Sequence, residues 1–126
     1  MDQLFKQEFV NLILNGYHNA QSAHSTIFNI EGPKENYVIT AYLAIANSHI
    51  NAAKAVYICN MELSRKEYDE FFSEFKSFSD EVMANISTIE VKGNIGKDYR
   101  HQWSDIHFPK LKEAYEPVAS LLKDLK

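Results

Sequence analysis

A chain of 126 residues makes a single domain spanning residues 1–126, and at that length it buries enough surface to fold without metal or disulfide staples. Its net charge of -4 argues against a general nucleic-acid coat and against anchoring on an anionic membrane, although a local basic patch is compatible with it. Cys59 is the only cysteine, so no internal disulfide forms. The N-terminus carries Asp2 and Glu8 instead of a basic region with a long apolar run, and the most apolar stretch, 42–46, is far too short to span a bilayer. The expectation is a cytoplasmic protein with no membrane partner.

The first element is read over residues 2–30. Phe9, Ile13, Gly16, Ala20, Ala23, Ile27 and Ile30 recur at spacings of four and three, which is one stripe of a long helix. Gly16, Ala20 and Ala23 thin the middle of that stripe, so a neighbouring helix approaches closely there. Gly32-Pro33 ends the helix and starts the next.

The second helix, about 34–61, carries two apolar stripes. One is Val38, Tyr42, Ile45, His49, Ala52 and Val56; the other is Ile39, Leu43, Ala46, Ile50, Ala53 and Tyr57. Two apolar sides predict packing on two sides, hence a central position. The third helix is predicted to begin at a capping box of Ser64 and Glu67, closed by a hydrophobic staple of Leu63 on Tyr68. Its buried face is Tyr68, Phe71, Phe75, Phe78, Val82, Ile86 and Ile89, broadened by Phe72. Gly93, Asn94 and Gly96 mark a loop at 91–98. Pro109 and Pro117 then argue against one straight helix to the end. A short helix at 99–107 and a last helix from Pro109, bent at Pro117, are expected instead. No segment alternates as a strand does. The fold class is all-α: an antiparallel bundle of four main helices with a short extra helix before the last.

No phosphate loop, dinucleotide fingerprint or paired-cysteine zinc pattern occurs, and no cofactor is called for. The spacings of His18, His24, His49, His101 and His107 do not favour a three-ligand metal site. His49 and His24 lie on apolar stripes and read as core histidines bonded to a neighbouring helix. The Phe-rich face of the third helix reads as core, and Cys59 as an inert buried thiol.

The segment 99–107 differs from the rest. Arg100, Ser104 and His107, four and then three apart, share one face if the segment is helical. Arginine holds a phosphate by two hydrogen bonds and histidine moves a proton near neutral pH, which together suit RNA cleavage without a metal. The bland reading makes the same residues a solvated face that pairs with Asp105 or Glu113, with Tyr99, Trp103 and Ile106 packing beneath.

Arg100, the polar His101 after it, and His107 resemble the signature of HEPN domains (higher eukaryotes and prokaryotes nucleotide-binding). These are small helical bundles, many of them RNases of defence and toxin–antitoxin systems. The alanine-rich stretch 41–61, with Ala52-Ala53-Lys54-Ala55, is similar to the second helix of that family. Leu111, Tyr115, Val118, Leu121 and Leu122 are similar to its closing helix, so the resemblance spans residues 33–126 and reaches the first helix by topology only. It implies a metal-independent endoribonuclease with RNA as its partner, acting as a homodimer that brings two copies of the site into one cleft. Arg100 and His107 would be catalytic, with His101 and Ser104 as supporting polar contacts. The alternative is a non-catalytic bundle that binds another protein, as an inhibitor, immunity protein or adaptor, through an exposed apolar patch for which loop 91–98 is the candidate.

Overall fold

The computed structural model describes residues 2–29, 35–92 and 105–125. Four helices, α1 (Gln3–Asn29), α2 (Glu35–Cys59), α3 (Lys66–Lys92) and α4 (His107–Leu125), form an all-α bundle, with no strand among the described residues. A 3-10 turn, Met61–Leu63, joins α2 to α3. Residue pairings across the interfaces run in opposite senses. Phe9 and Gly16 of α1 lie beside Tyr57 and Ile50 of α2, and Asn47 of α2 meets Ser79 of α3 while Tyr57 meets Asp69. Phe78 and Phe71 of α3 lie beside Phe108 and Tyr115 of α4, which also stack on His24 and Tyr17 of α1. Each helix is therefore antiparallel to its two neighbours, with α1 diagonal to α3 and α2 to α4.

The core follows the stripes. Phe9, Ile13, Ala20, Ala23 and Ile27 of α1 are buried, as are Phe71, Phe75, Phe78, Val82 and Ile86 of α3. Phe9, Phe71 and Phe78 are essentially sealed from water. Burying each such ring stabilises the fold by roughly 1.5–3 kcal/mol. The expected close approach occurs at Gly16, where an added Cβ would collide with the Ile50 side chain. Between Tyr17 and Tyr115 the ring centroids are 3.7 Å apart and the planes 5° from parallel, closing α4 onto α1.

Several expectations are corrected. Only one of the two α2 stripes is buried: Ile39, Leu43, Ala46, Ile50 and Ala53 face the core. On the other stripe Val38 is 41% and Ile45 44% exposed, Ala52 is exposed, and Tyr42, His49 and Val56 are half-buried. A ring of four helices gives each member one inward face, so α2 is peripheral like the others, and its second apolar face meets solvent.

The start of α3 lies one residue beyond the predicted cap. Its first helical bond runs from Asp69 N–H to the Arg65 carbonyl, so Arg65 is the N-cap. Ser64 instead closes the 3-10 turn through its N–H to the Met61 carbonyl. Leu63 and Tyr68, the expected staple, are both buried.

The last helix begins at His107, not Pro109. Pro109 falls in its first turn, where a missing donor has no helical partner to lose. The helix runs unbroken through Pro117 to Leu125. Pro117 is exposed, and so is Glu113, whose carbonyl it leaves free for water. Of the expected short helix at 99–107, residues 99–104 lie outside the described residues, and 105 and 106 are not helical. Most of loop 91–98 lies outside them as well.

Two side chains are placed differently from the reading of the sequence. Cys59 is exposed. His49 is half-buried, and its Nδ1–H donates to the Ile45 carbonyl of its own helix at 2.9 Å, not to a neighbouring helix.

Candidate functional site

Of the four residues singled out near the C-terminus, Arg100, His101 and Ser104 lie outside the described residues, and His107 is described. His107 is the first residue of α4. A helix start leaves backbone N–H groups without helical partners and carries partial positive charge. Here that role is met from another helix. Glu81 of α3 accepts the N–H of Ile106 on Oε2 at 3.2 Å and the N–H of His107 on Oε1 at 3.3 Å. The carboxylate fixes the end of α4 against the middle of α3.

The His107 ring is half-buried, and its Nδ1 is shut off from water with no hydrogen-bond partner among the described residues. A buried polar atom left unpaired costs about 1–3 kcal/mol, so such atoms are rare and call for a reason. Beside the ring an open cleft of about 500 Å³ runs between α3 and the start of α4, lined by Ser77, Asp80, Glu81, Ala84, Asn85 and Ile106. Among the described residues its charged side chains are both acidic. Asp80 is paired with Lys76 at 2.8 Å and Glu81 is engaged with α4.

On the other side of α4, His24 of α1 donates from Nε2 to Oδ1 of Asp105 at 3.0 Å. Its ring stacks on Phe108, with centroids 3.9 Å apart and planes 13° from parallel. His24 is thus a partnered histidine bonded to a neighbouring segment, as its place on the α1 stripe implies. Two carboxylates, Glu81 and Asp105, together position the segment that leads into His107.

The sequence alone did not point to Glu81, His24 or Asp105 as the frame of this site. Glu81 sits beside Val82 on the edge of the α3 stripe, and nothing in its spacing links it to a residue 26 positions away. Among the described residues no group of three or more His, Cys, Asp or Glu side chains is placed to hold a metal ion. No described helix is long and apolar enough to cross a membrane.

Comparison with protein-family models, with curated proteins and with solved structures finds no match.

Proposed function

We propose that this chain is a HEPN-like, metal-independent endoribonuclease in which Arg100 and His107 carry the chemistry. The observation that supports this reading is the place of His107: a half-buried ring that lines an open cleft at the start of the last helix. An imidazole held by packing at the wall of a cleft is suited to exchange a proton with a substrate hydroxyl. Arg100 supplies the cation that holds the scissile phosphate. His101 and Ser104 add polar contacts on the same segment.

In the proposed reaction the ribose 2′-hydroxyl oxygen attacks phosphorus and the bond to the 5′-oxygen breaks. His107 manages the proton that leaves the 2′-hydroxyl and the one the 5′-oxygen gains. The products are a 2′,3′-cyclic phosphate and a 5′-hydroxyl, so DNA survives. Single-stranded RNA incubated with the protein in EDTA should be cut and should carry those ends. Arg100→Ala and His107→Gln should each slow cutting by ~100-fold or more, with little change in melting temperature. Glutamine approximates the bulk of the half-buried ring without its proton chemistry, and no described hydrogen bond of Nδ1 is lost. Uncut RNA, or variants as active as the parent, would sink the nuclease reading.

A second reading, a non-catalytic bundle that binds another protein, is favoured by one observation: the exposed apolar face of α2, where Tyr37 is 80% and Ile58 68% exposed. An inactive protein whose α2 face binds another chain would select it.

A further inference from the structure

Val38, Ala41, Ile45, Ser48, Ala52, Ala55 and Cys59 recur along α2 at spacings of three and four, and every one of them is exposed. That is the a/d pattern of a coiled-coil seam, continued over three heptads. It lies opposite the buried face formed by Ile39, Leu43, Ala46, Ile50 and Ala53. Its flanks are uncharged too. Tyr37, Ala44, Asn51 and Ile58 border it on one side and Tyr42, His49 and Val56 on the other. Between 37 and 59 the sole charged residue is Lys54. A helix face that stays in water normally carries charge, and this one spends its small and apolar residues there.

We infer that the α2 face is the docking surface for a second copy of this chain, joined by antiparallel pairing of the two α2 helices about a two-fold axis. The axis passes level with the Ala46–Asn47 peptide. In this register Val38 faces Ala55 of the second copy, Ala41 faces Ala52, and Ile45 faces Ser48, each pairing repeated by symmetry. Each of the two larger seam residues within 38–55 meets a small one. An isologous contact requires this reciprocity, because the same patch supplies both the knob and the hole.

Charge points the same way. A partner with a charged helix face would lose hydration here without a counter-charge, whereas a second uncharged seam loses none. The contact extends over about 26 Å of helix. Widened by Tyr37, Tyr42 and Ile58, it buries on the order of 1,000 Å² in total, which reaches the lower bound for a specific interface.

This inference does not rest on the nuclease reading. Because α2 and α4 are diagonal in the bundle, pairing on α2 turns His107 outward in both copies. It therefore differs from the shared cleft that the family resemblance implies, and the two arrangements are separable by experiment.

Sedimentation equilibrium of the full chain at roughly 100 μM should give a dimer. Val38→Glu alone and Ala55→Lys alone should each weaken dimerisation at least ~100-fold, because each places two unpaired charges in an apolar seam. Both positions are exposed, and the added charges suit their ends of the helix, so helix content should hold by circular dichroism. The double variant Val38→Glu/Ala55→Lys should recover the dimer, since this register sets each glutamate against a lysine of the other copy. A parent that stays monomeric overturns the inference and leaves the seam to a different protein. Single variants that remain dimeric move the contact to another face, the His107 cleft included. A double variant that stays monomeric refutes the antiparallel register.

Discussion

At Tyr57 one hydroxyl serves two groups at the start of α3. It accepts the Arg65 N–H at 3.1 Å and donates to the Asp69 carboxylate at 2.9 Å. The Arg65 carbonyl is also 3.1 Å away, but the charged acceptor is nearer and the single proton goes there. This is the capping work that Ser64 was expected to do, supplied from α2. Tyr57→Phe should therefore lower stability by ~1–2 kcal/mol, discounted for partial exposure, whereas Ser64→Ala should fall within ~0.5 kcal/mol of the parent. Urea unfolding of the two variants ranks them, and a larger loss at Ser64 would restore the sequence's version of the cap. The residue pattern Ser64-x-x-Glu67 was legible, but the 3-10 turn that claims Ser64 was not, because it depends on how α2 ends. The site shows the same division. The spacing of Arg100 and His107 can be read from the chain, while the grip of Glu81 on the start of α4 exists only once α3 and α4 are packed.

Each helix could be read as an element because its apolar residues repeat with the helical period. Which face ends up inside could be read only where a single stripe was present. In α1 and α3 it was, and Phe9, Ile13, Phe71 and Phe78 are buried accordingly. In α2 both stripes were apolar, and Gly16 of α1 suits one of them. Its missing side chain lets Ile50 of α2, on the Ile39–Ala53 stripe, settle against the α1 backbone. Gly16→Ala raises intrinsic helix stability by ~1 kcal/mol, but it drives a methyl into Cδ1 and Cγ1 of Ile50, and overpacking costs ~1–3 kcal/mol. The packing term should win. A melting temperature at or above the parent's would show that Ile50 rotates away freely and that α1 and α2 are less tightly locked than their geometry implies.

For the whole molecule, proton uptake provides a test at high pH. Burial pushes the Tyr68 phenol from 10.0 up to about 12, and Tyr17 and Tyr115 are also raised, chiefly by burial. Raised phenols favour the protonated folded state. Their contribution is fully present below pH 10, the unfolded value, and disappears as pH climbs through the folded value near 12. Thermal melts from pH 8 to 12 should fall off above 10, and Tyr68→Phe should flatten that slope. An unchanged slope would place the sensitivity elsewhere. The bundle is also two helical hairpins, α1 with α2 and α3 with α4, whose close approach within each pair exceeds that between them. The Tyr17–Tyr115 stack bridges the two halves. Two phenols that close and nearly parallel couple their electronic transitions, which makes the pair an optical gauge of assembly. During refolding, the far-ultraviolet signal should report the helices as they form, and the tyrosine band of the near-ultraviolet should appear only when the hairpins dock. Tyr115→Leu should extinguish most of that later signal while leaving the earlier one in place.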